Sequence, residues 1–479
     1  MQKQHEVILP QSFEADRHWY PKALNATIHP MMAYFLNMSK DQIIERYCHL
    51  HPKVDKKVLH DILSSRPKYF RWAGADLINV TTAAGSKQMV VIENNSCPSG
   101  QKSMPLINDH DELGSYRKLI ERTFLPSLRG QRLITGGVMA VLYDKNYMEA
   151  SGYAAALAEI LDEKIYLIYF PKSDYDHYLR FTDGVLELKT DEGWIQIKAA
   201  FRYVTQKPWN RIPIHSKTKI LNPILACISG GRNKMIAAKA YDIYNAELAP
   251  SGLKINVPET IWDVSKNEIP LWVRKLGGHA VIKVPYSNAG QGVFTIVNAR
   301  ELDAFMEQEF EYDQFIVQSL IGNYQWSSTS SKGKLYHVGT MPTNKGATYV
   351  FDLRIMVSAT LEGIKPLCAY SRRSKDPLQD QILESTHSWD MLGTNLSVKL
   401  GDNKWDSDTT RLLLMDRRDF NKLGIGLDDL IEGYIQTVLS MLAIDKMSQT
   451  FLNSKGKFRK RLFKSLNDDD SLINELYIE

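Results

Sequence analysis

Cysteine is scarce in this chain, with four in 479 residues. Cys48, Cys97, Cys227 and Cys368 show no C-x-x-C spacing and no paired histidines, which argues against a structural zinc site and a disulfide scaffold and for a reducing compartment. No apolar run approaches the roughly 18 residues needed to cross a bilayer, and no apolar signal core follows residues 1–6, so a cytoplasmic location with no membrane partner is expected. An excess of one charge is also missing. Lysine and arginine number 59 against 55 acidic residues, a net charge of +4, too small at this length to indicate a nucleic-acid partner. Glycine and proline, 28 and 19, are too few for a collagen-like or disordered chain. What remains is ordinary globular usage, 44% hydrophobic and 24% charged. At about 150 residues per domain the length suggests roughly three structural units.

Between 41 and about 65 the residues Ile43, Ile44, Tyr47, Val58, Leu59, Ile62 and Leu63 recur at helical spacing, and 89–92 reads as a short buried strand followed by a loop over 93–105. A helical stretch near 112–123 precedes a strand at 138–143, an alanine-rich helix around 150–161 and a strand at 165–170. Strand, helix and strand in that order predict a βαβ crossover, hence a parallel α/β layer near 130–210. Lys207-Pro208-Trp209 and the polar stretch to 219 suggest a linker or lid, after which Asn222-Pro223 opens a new region with a helix near 234–244. From 280 onward, β-branched and glycine-punctuated strands at 280–284, 292–297, 315–320, 349–359 and 366–371 predict an antiparallel or mixed α+β region. An amphipathic helix over 427–442, a basic tract at 455–464 and an acidic one at 468–470 follow.

Four segments carry candidate chemistry. The strand ending Glu93-Asn94-Asn95 turns through Pro98-Ser99-Gly100-Gln101, and residues two apart on a strand share a face. A carboxylate and an amide oxygen on one face are hard ligands suited to Mg²⁺, with Asp76 as a third from a neighbouring strand, although an isolated E-x-N is also what a metal-free polar strand end looks like. The second segment, Lys283 with the small-residue loop 287–292, offers backbone N–H groups and a point charge to phosphates without matching a Walker or Rossmann motif. Third is Lys234 at a helix start. Fourth is Arg354 on an apolar strand, followed by Arg372 and Arg373 on the next; arginines in such places need an anion, for which a structural carboxylate is the plain candidate.

Taken in order, these segments resemble the ATP-grasp superfamily, in the circularly permuted arrangement of glutathionylspermidine synthetase-like carboxylate–amine ligases. Glu93-Asn94-Asn95 followed by Pro98-Ser99-Gly100 is similar to that family's signature, and it precedes both lysines, whereas in an ordinary ATP-grasp chain the metal strand comes last. The strand at 138–142 with Glu149, then Asn222-Pro223, Lys234, Lys283, Gln318 and Arg354, match in sequence, over about 71–395. The resemblance implies an α/β and α+β fold: an N-terminal segment (1–130) carrying the permuted metal strand, a pre-ATP-grasp-like α/β domain (131–220), and ATP-grasp lobes with a C-terminal helical segment (221–479). It further implies ATP and Mg²⁺ as cofactors. Asp76, Glu93 and Asn95 would hold the metal. Lys234, Lys283 and the loop residues Ser287, Asn288, Gly290, Gln291 and Gly292 would meet the phosphates, Gln318 and Leu320 would edge the adenine pocket, and Arg354 with Lys283 would act in catalysis. Arg71, Ser99, Gly100 and Arg372 are the candidates for substrate contact. Two departures stand out: Gln318-Ser319 lacks the acidic residue many members carry, and the segment around Asn395 matches loosely.

The implied activity is ATP-dependent joining of a carboxylate to an amine through an acyl phosphate, on a small molecule, a peptide or a carrier protein. A non-catalytic nucleotide-binding scaffold of the same fold is the alternative. A nucleic-acid partner held by the basic tract, with Phe458 and Phe463 interleaved, is the third reading, countered by the nearby acidic residues. Cys97 has no histidine near it in sequence, and a buried cysteine is the commoner case.

Overall fold

The computed structural model describes residues 3–108, 110–205, 207–287, 290–401 and 404–476. Three larger sheets organise the chain, and the mixed α/β architecture matches the sequence expectation.

A seven-stranded sheet is built around Val138–Tyr143, which pairs in parallel with Ile165–Tyr169 on one side and Gly193–Tyr203 on the other. Its continuous apolar run reflects burial on both faces, as parallel strands require. The crossover helix, Tyr147–Leu161, is rich in small residues and packs closely: a Cβ on Gly152 would lie 2.8 Å from the Tyr116 ring. His5–Ile8 extends this sheet antiparallel to Ile165–Tyr169, so the α/β unit recruits the N-terminus as well as the expected 130–210 layer.

A four-stranded antiparallel sheet runs in the order Thr260–Ser265, Gln314–Ser319, Ala280–Lys283, Val293–Ile296. The third sheet is assembled from two parts of the chain far apart in sequence. The hairpin Trp72–Thr82 and Lys87–Asn95, turned through Gly85 at φ +80°, joins Leu335–His337, Phe351–Thr360, Gly363–Arg373 and Leu412–Leu413. The helix Leu427–Thr450 is buried along most of its length and packs on this sheet. A Cβ on its Gly433 would lie 2.8 Å from Ile355 Cδ1 and 3.1 Å from Leu77 Cδ1, so the backbone needs glycine to seat there.

Two expectations change. The helical pattern over 41–65 is two helices, Lys40–Leu50 and Lys56–Ser64, because Pro52 interrupts the first and Asp55 caps the second through the N–H groups of Lys57 and Val58. The strand expected to stop at 92 continues to Asn95, since its backbone pairs with 74–76 across a bulge. Among the described residues no helix is long and apolar enough to cross a membrane.

Candidate active site

A cavity of about 820 Å³ lies where the three sheets meet, within the usual range for ligand pockets. One wall is the six-stranded sheet. Strand register puts Glu93, Asp76, Arg354 and Tyr370 in one cross-strand row, with Asn95 two residues beyond Glu93 on the same face. Asp76 is 8% exposed. Its two oxygens accept from Arg354 Nε at 2.5 Å and Nη2 at 2.6 Å, and Arg372 Nη2 stands 3.0 Å away. Burial alone would raise the Asp76 carboxyl, but Arg354 and Arg372 outweigh it and hold the group well below the usual carboxylate range. Arg372 also binds Asp352, its cross-strand neighbour, through Nε at 3.0 Å. Glu93 behaves like Asp76, with burial opposed chiefly by Lys234, whose Nζ lies 3.4 Å from Oε2, and the balance lowers its pKa.

The facing wall is the four-stranded sheet. Lys283 ends its strand 3% exposed, with Nζ donating to Ile92 O on the other sheet at 3.2 Å. Burial pushes its pKa down to about 8, partly offset by Glu93. Gln318 and Leu320 line the same wall, and Gln318 Nε2 donates to Thr260 Oγ1 at 2.9 Å. Lys234 opens the helix Lys234–Leu248 behind the Asn233 cap, and its Nζ donates to Ser287 O at 2.6 Å, tying the glycine-rich loop to Glu93. That loop folds on itself: Val284 N donates to Gly292 O at 2.8 Å, and a Cβ on Gly292 would sit 2.3 Å from Ser287 Oγ. Gly290 lines the cavity at φ +76°. Asn288 lies outside the described residues.

The floor is the loop after Asn95, and a buried carboxylate shapes it. Glu149, fully buried on the crossover helix, accepts from Ser99 Oγ (2.7 Å), Gly100 N (2.8 Å), Gln101 N (2.9 Å) and Tyr203 OH (2.9 Å). Ser99 O in turn receives Arg354 Nη1 at 3.2 Å and Tyr370 OH at 3.1 Å. Gly100, at φ +149°, has no room for a side chain, with the Tyr370 ring 2.2 Å from where a Cβ would stand. Gly100 therefore shapes the floor through its backbone.

The chemistry of the donor set can be tested against Mg²⁺. Among the described residues no group of three or more His, Cys, Asp or Glu side chains converges on a metal-sized site. The hard-oxygen set is instead two carboxylates and an amide, all lining the cavity. Asn95 Oδ1 accepts no hydrogen bond among the described residues, while its amide nitrogen reaches Gly74 O at 3.5 Å. Both carboxylates are held ionised, so the three residues fit a small divalent cation that also takes phosphate oxygens.

Not every candidate is brought here. Arg71 lies on a separate cavity of about 330 Å³, beside Lys68 and Lys219, where burial lowers its pKa. Cys97 touches the main cavity, but Sγ donates to Arg202 O at 3.2 Å and burial pushes the thiol up to about 12, so it stays protonated at neutral pH. Phe463 is buried against Phe451 and Phe458, and Lys464 pairs with Asp470 at 3.2 Å, leaving that aromatic unavailable for base stacking. Sequence reasoning missed Lys102, Lys145, Asn146, Arg232 and Tyr370, which all line the cavity. Lys145 and Asn146 had a usable signal, since they follow the C-terminal end of a parallel strand, where α/β sheets place ligands.

No family profile matches this chain, and no curated protein sequence matches it. Among solved structures it is similar to a RimK-domain ATP-grasp protein from Sphaerobacter thermophilus, at 13% identity and TM-score 0.29, over 49% of this chain and 90% of that one. It is similar also to a glutathione synthetase-like effector from Globodera pallida, at 11% identity and TM-score 0.38, over 72% and 81%. A third is D-alanyl-alanine synthetase A from Vibrio cholerae, at 12% identity and TM-score 0.32, over 49% and 89%. At such TM-scores these likenesses do not decide an activity, which rests on the residues of the cavity.

Proposed function

We propose that this chain is an ADP-forming carboxylate–amine ligase of the permuted ATP-grasp kind. The observation that carries the proposal is a single cavity with Asp76, Glu93 and Asn95 on one sheet and Lys283 on the sheet facing it. The chain order supports the permuted form, because the six-stranded sheet is drawn from 72–95 and 335–413, on either side of the four-stranded sheet in sequence.

A carboxylate that attacks the γ-phosphorus of ATP brings like charges together, so positioning and charge neutralisation are most of the task. In this reading Lys283 binds phosphate oxygens, Lys234 supports the site from outside the cavity lining through Glu93, and Gly290 of the glycine-rich loop lies beside them. Magnesium, held by Asp76, Glu93 and Asn95, would neutralise phosphate charge when bound. Arg354 joins Asp76 on the six-stranded wall to Ser99 O, keeping the acid-binding floor in register with the metal-binding wall. In the first step a substrate carboxylate oxygen bonds to the γ-phosphorus while the bond from that phosphorus to the bridging oxygen breaks, releasing ADP. An amine nitrogen then bonds to the acyl carbon, the carbon–oxygen bond to phosphate breaks, and the amine proton leaves to solvent or phosphate. Water must be kept from the acyl phosphate, which is the task of a closed loop.

Trapping with hydroxylamine tests this. Purified protein with ATP, Mg²⁺ and pools of carboxylates and peptides should yield ADP and hydroxamate in equal amounts, with both falling at least 100-fold in Lys283→Ala and Glu93→Gln. ATP binding without either product across those pools would favour the non-catalytic scaffold.

A further inference from the structure

The cations of the cavity fall into two groups. Lys283 has Glu93, Lys234 and Asp76 as its electrostatic neighbours, the phosphate end of the site. Lys283 ends a strand of the four-stranded sheet, whereas Lys145 follows Val138–Tyr143 of the seven-stranded sheet, where that sheet meets the floor loop. Lys145 makes no hydrogen bond or ion pair among the described residues, while burial and the nearby Arg232 lower its pKa to about 8. Lys102, 6% exposed, also has no carboxylate partner among the described residues. Its Nζ donates to Asn146 Oδ1 and lies 4.7 Å from the centre of the Tyr20 ring. Asn146 itself is pinned in a left-handed conformation at φ +63°, donating to Ser99 Oγ at 2.8 Å and Tyr203 OH at 3.0 Å. The Lys145–Asn146–Lys102 corner is thus held rigidly by the network that shapes the floor.

Charge is unbalanced there. Six cationic side chains line the cavity against three carboxylates. Asp76 is engaged by Arg354, Asp352 by Arg372, and Glu93 by Lys234 from outside the lining. A nucleotide bound with its divalent cations adds little net charge, and the single carboxylate that reacts is taken up into the acyl phosphate. Lys102 is buried and Lys145 half-buried, and Asp144, the carboxylate that acts on Lys145, is already paired with Arg211, so an anionic ligand would relieve the cost of keeping both ammonium groups there.

Resting on the ligase reading above, we propose that Lys145 and Lys102 receive a second anionic group of the acid substrate, a carboxylate or a phosphate, so that the enzyme selects acids carrying a negative charge beyond the one it activates. The two lysines act as specificity determinants at the far end of the acid from the reacting carboxyl.

Matched pairs that differ by one anionic group test it: glutarate against glutaramate, Glu-Gly against Gln-Gly, and phosphoserine against serine. Binding to the full chain is measured calorimetrically in the presence of ATP and Mg²⁺, and kcat/KM by hydroxamate release, for wild type, Lys145→Met, Lys102→Met and Lys145→Arg. The expected wild-type preference for the more anionic member of at least one pair is tenfold or more, collapsing toward one in either methionine variant and largely restored in Lys145→Arg. The carboxylate and phosphate pairs report which anion is taken. Turnover that is indifferent to the extra charge, or that loses both members of a pair equally in Lys145→Met, overturns this inference and leaves the ligase reading standing. Lys145-dependent binding of the more anionic acid with no hydroxamate or ADP sinks the ligase reading and keeps the anion site. If no anionic member binds wild type more tightly than Lys145→Met, the inference is wrong.

Discussion

Lys283 shows how a site residue can work against its own fold. It is almost wholly buried and its pKa stands at about 8 rather than 10.5, so the native state binds this proton less tightly than the unfolded chain does. Stability therefore rises as pH increases from about 8 to 10.5, and the full penalty is present below 8. Lys283→Met should accordingly be more stable than wild type at pH 7, by on the order of 2 kcal/mol after the lost hydrogen bond to Ile92 O is deducted. Urea denaturation across this pH range checks it: the gain should shrink toward zero above pH 10.5, while nucleotide binding is weakened throughout. A destabilised Lys283→Met at pH 7 would mean that Glu93 compensates the lysine in full. Asp76 keeps its charge against burial through two arginines, a pairing set across strands far apart in sequence.

Elements are joined at this site by a few buried polar side chains. Asn222 accepts from the N–H groups of Arg71 (2.8 Å) and Trp72 (3.3 Å) and donates to Trp72 O (2.6 Å) and Ser96 O (2.8 Å), clamping the start of one hairpin strand to the end of the other. Glu149 does the same between the crossover helix and the floor loop. In Glu149→Gln the amide nitrogen must face at least one of the four donors that the carboxylate now receives. The expected loss is on the order of 3 kcal/mol in urea denaturation, together with a raised KM for the acid substrate and a smaller change in KM for ATP. Equal changes in both KM values would place Glu149 in the general stability of the cavity and outside the acid-binding floor.

At the scale of the whole molecule, one apolar core runs through all three sheets and the Leu427–Thr450 helix, and it encloses most of the thiols. Cys97, Cys227 and Cys368 are buried, whereas Cys48 is half-buried. Titration with a chromogenic disulfide should label about one thiol in the native protein and four after denaturation. Labelling of more than one in native conditions would show that the sheets separate readily.

By itself the sequence determined the element types and the chemical inventory. Long apolar runs, glycine turns and an alanine-rich helix are local signals, and so are an E-x-N strand end and a lysine before a glycine loop. Their order along the chain was enough to suggest a resemblance to the permuted ATP-grasp arrangement. Only the tertiary structure decided which charges meet. The row Glu93, Asp76, Arg354 and Tyr370 depends on strand register between residues as far apart as Asp76 and Arg354, 278 positions, and no spacing in sequence encodes that register. It also separated Arg71 into another cavity and brought in Lys102, which carries no motif, beside Lys145. The physical reason is that apolar periodicity is a property of neighbouring residues, whereas a charge acquires its partner, its burial and its pKa from whatever the packing of distant segments sets beside it.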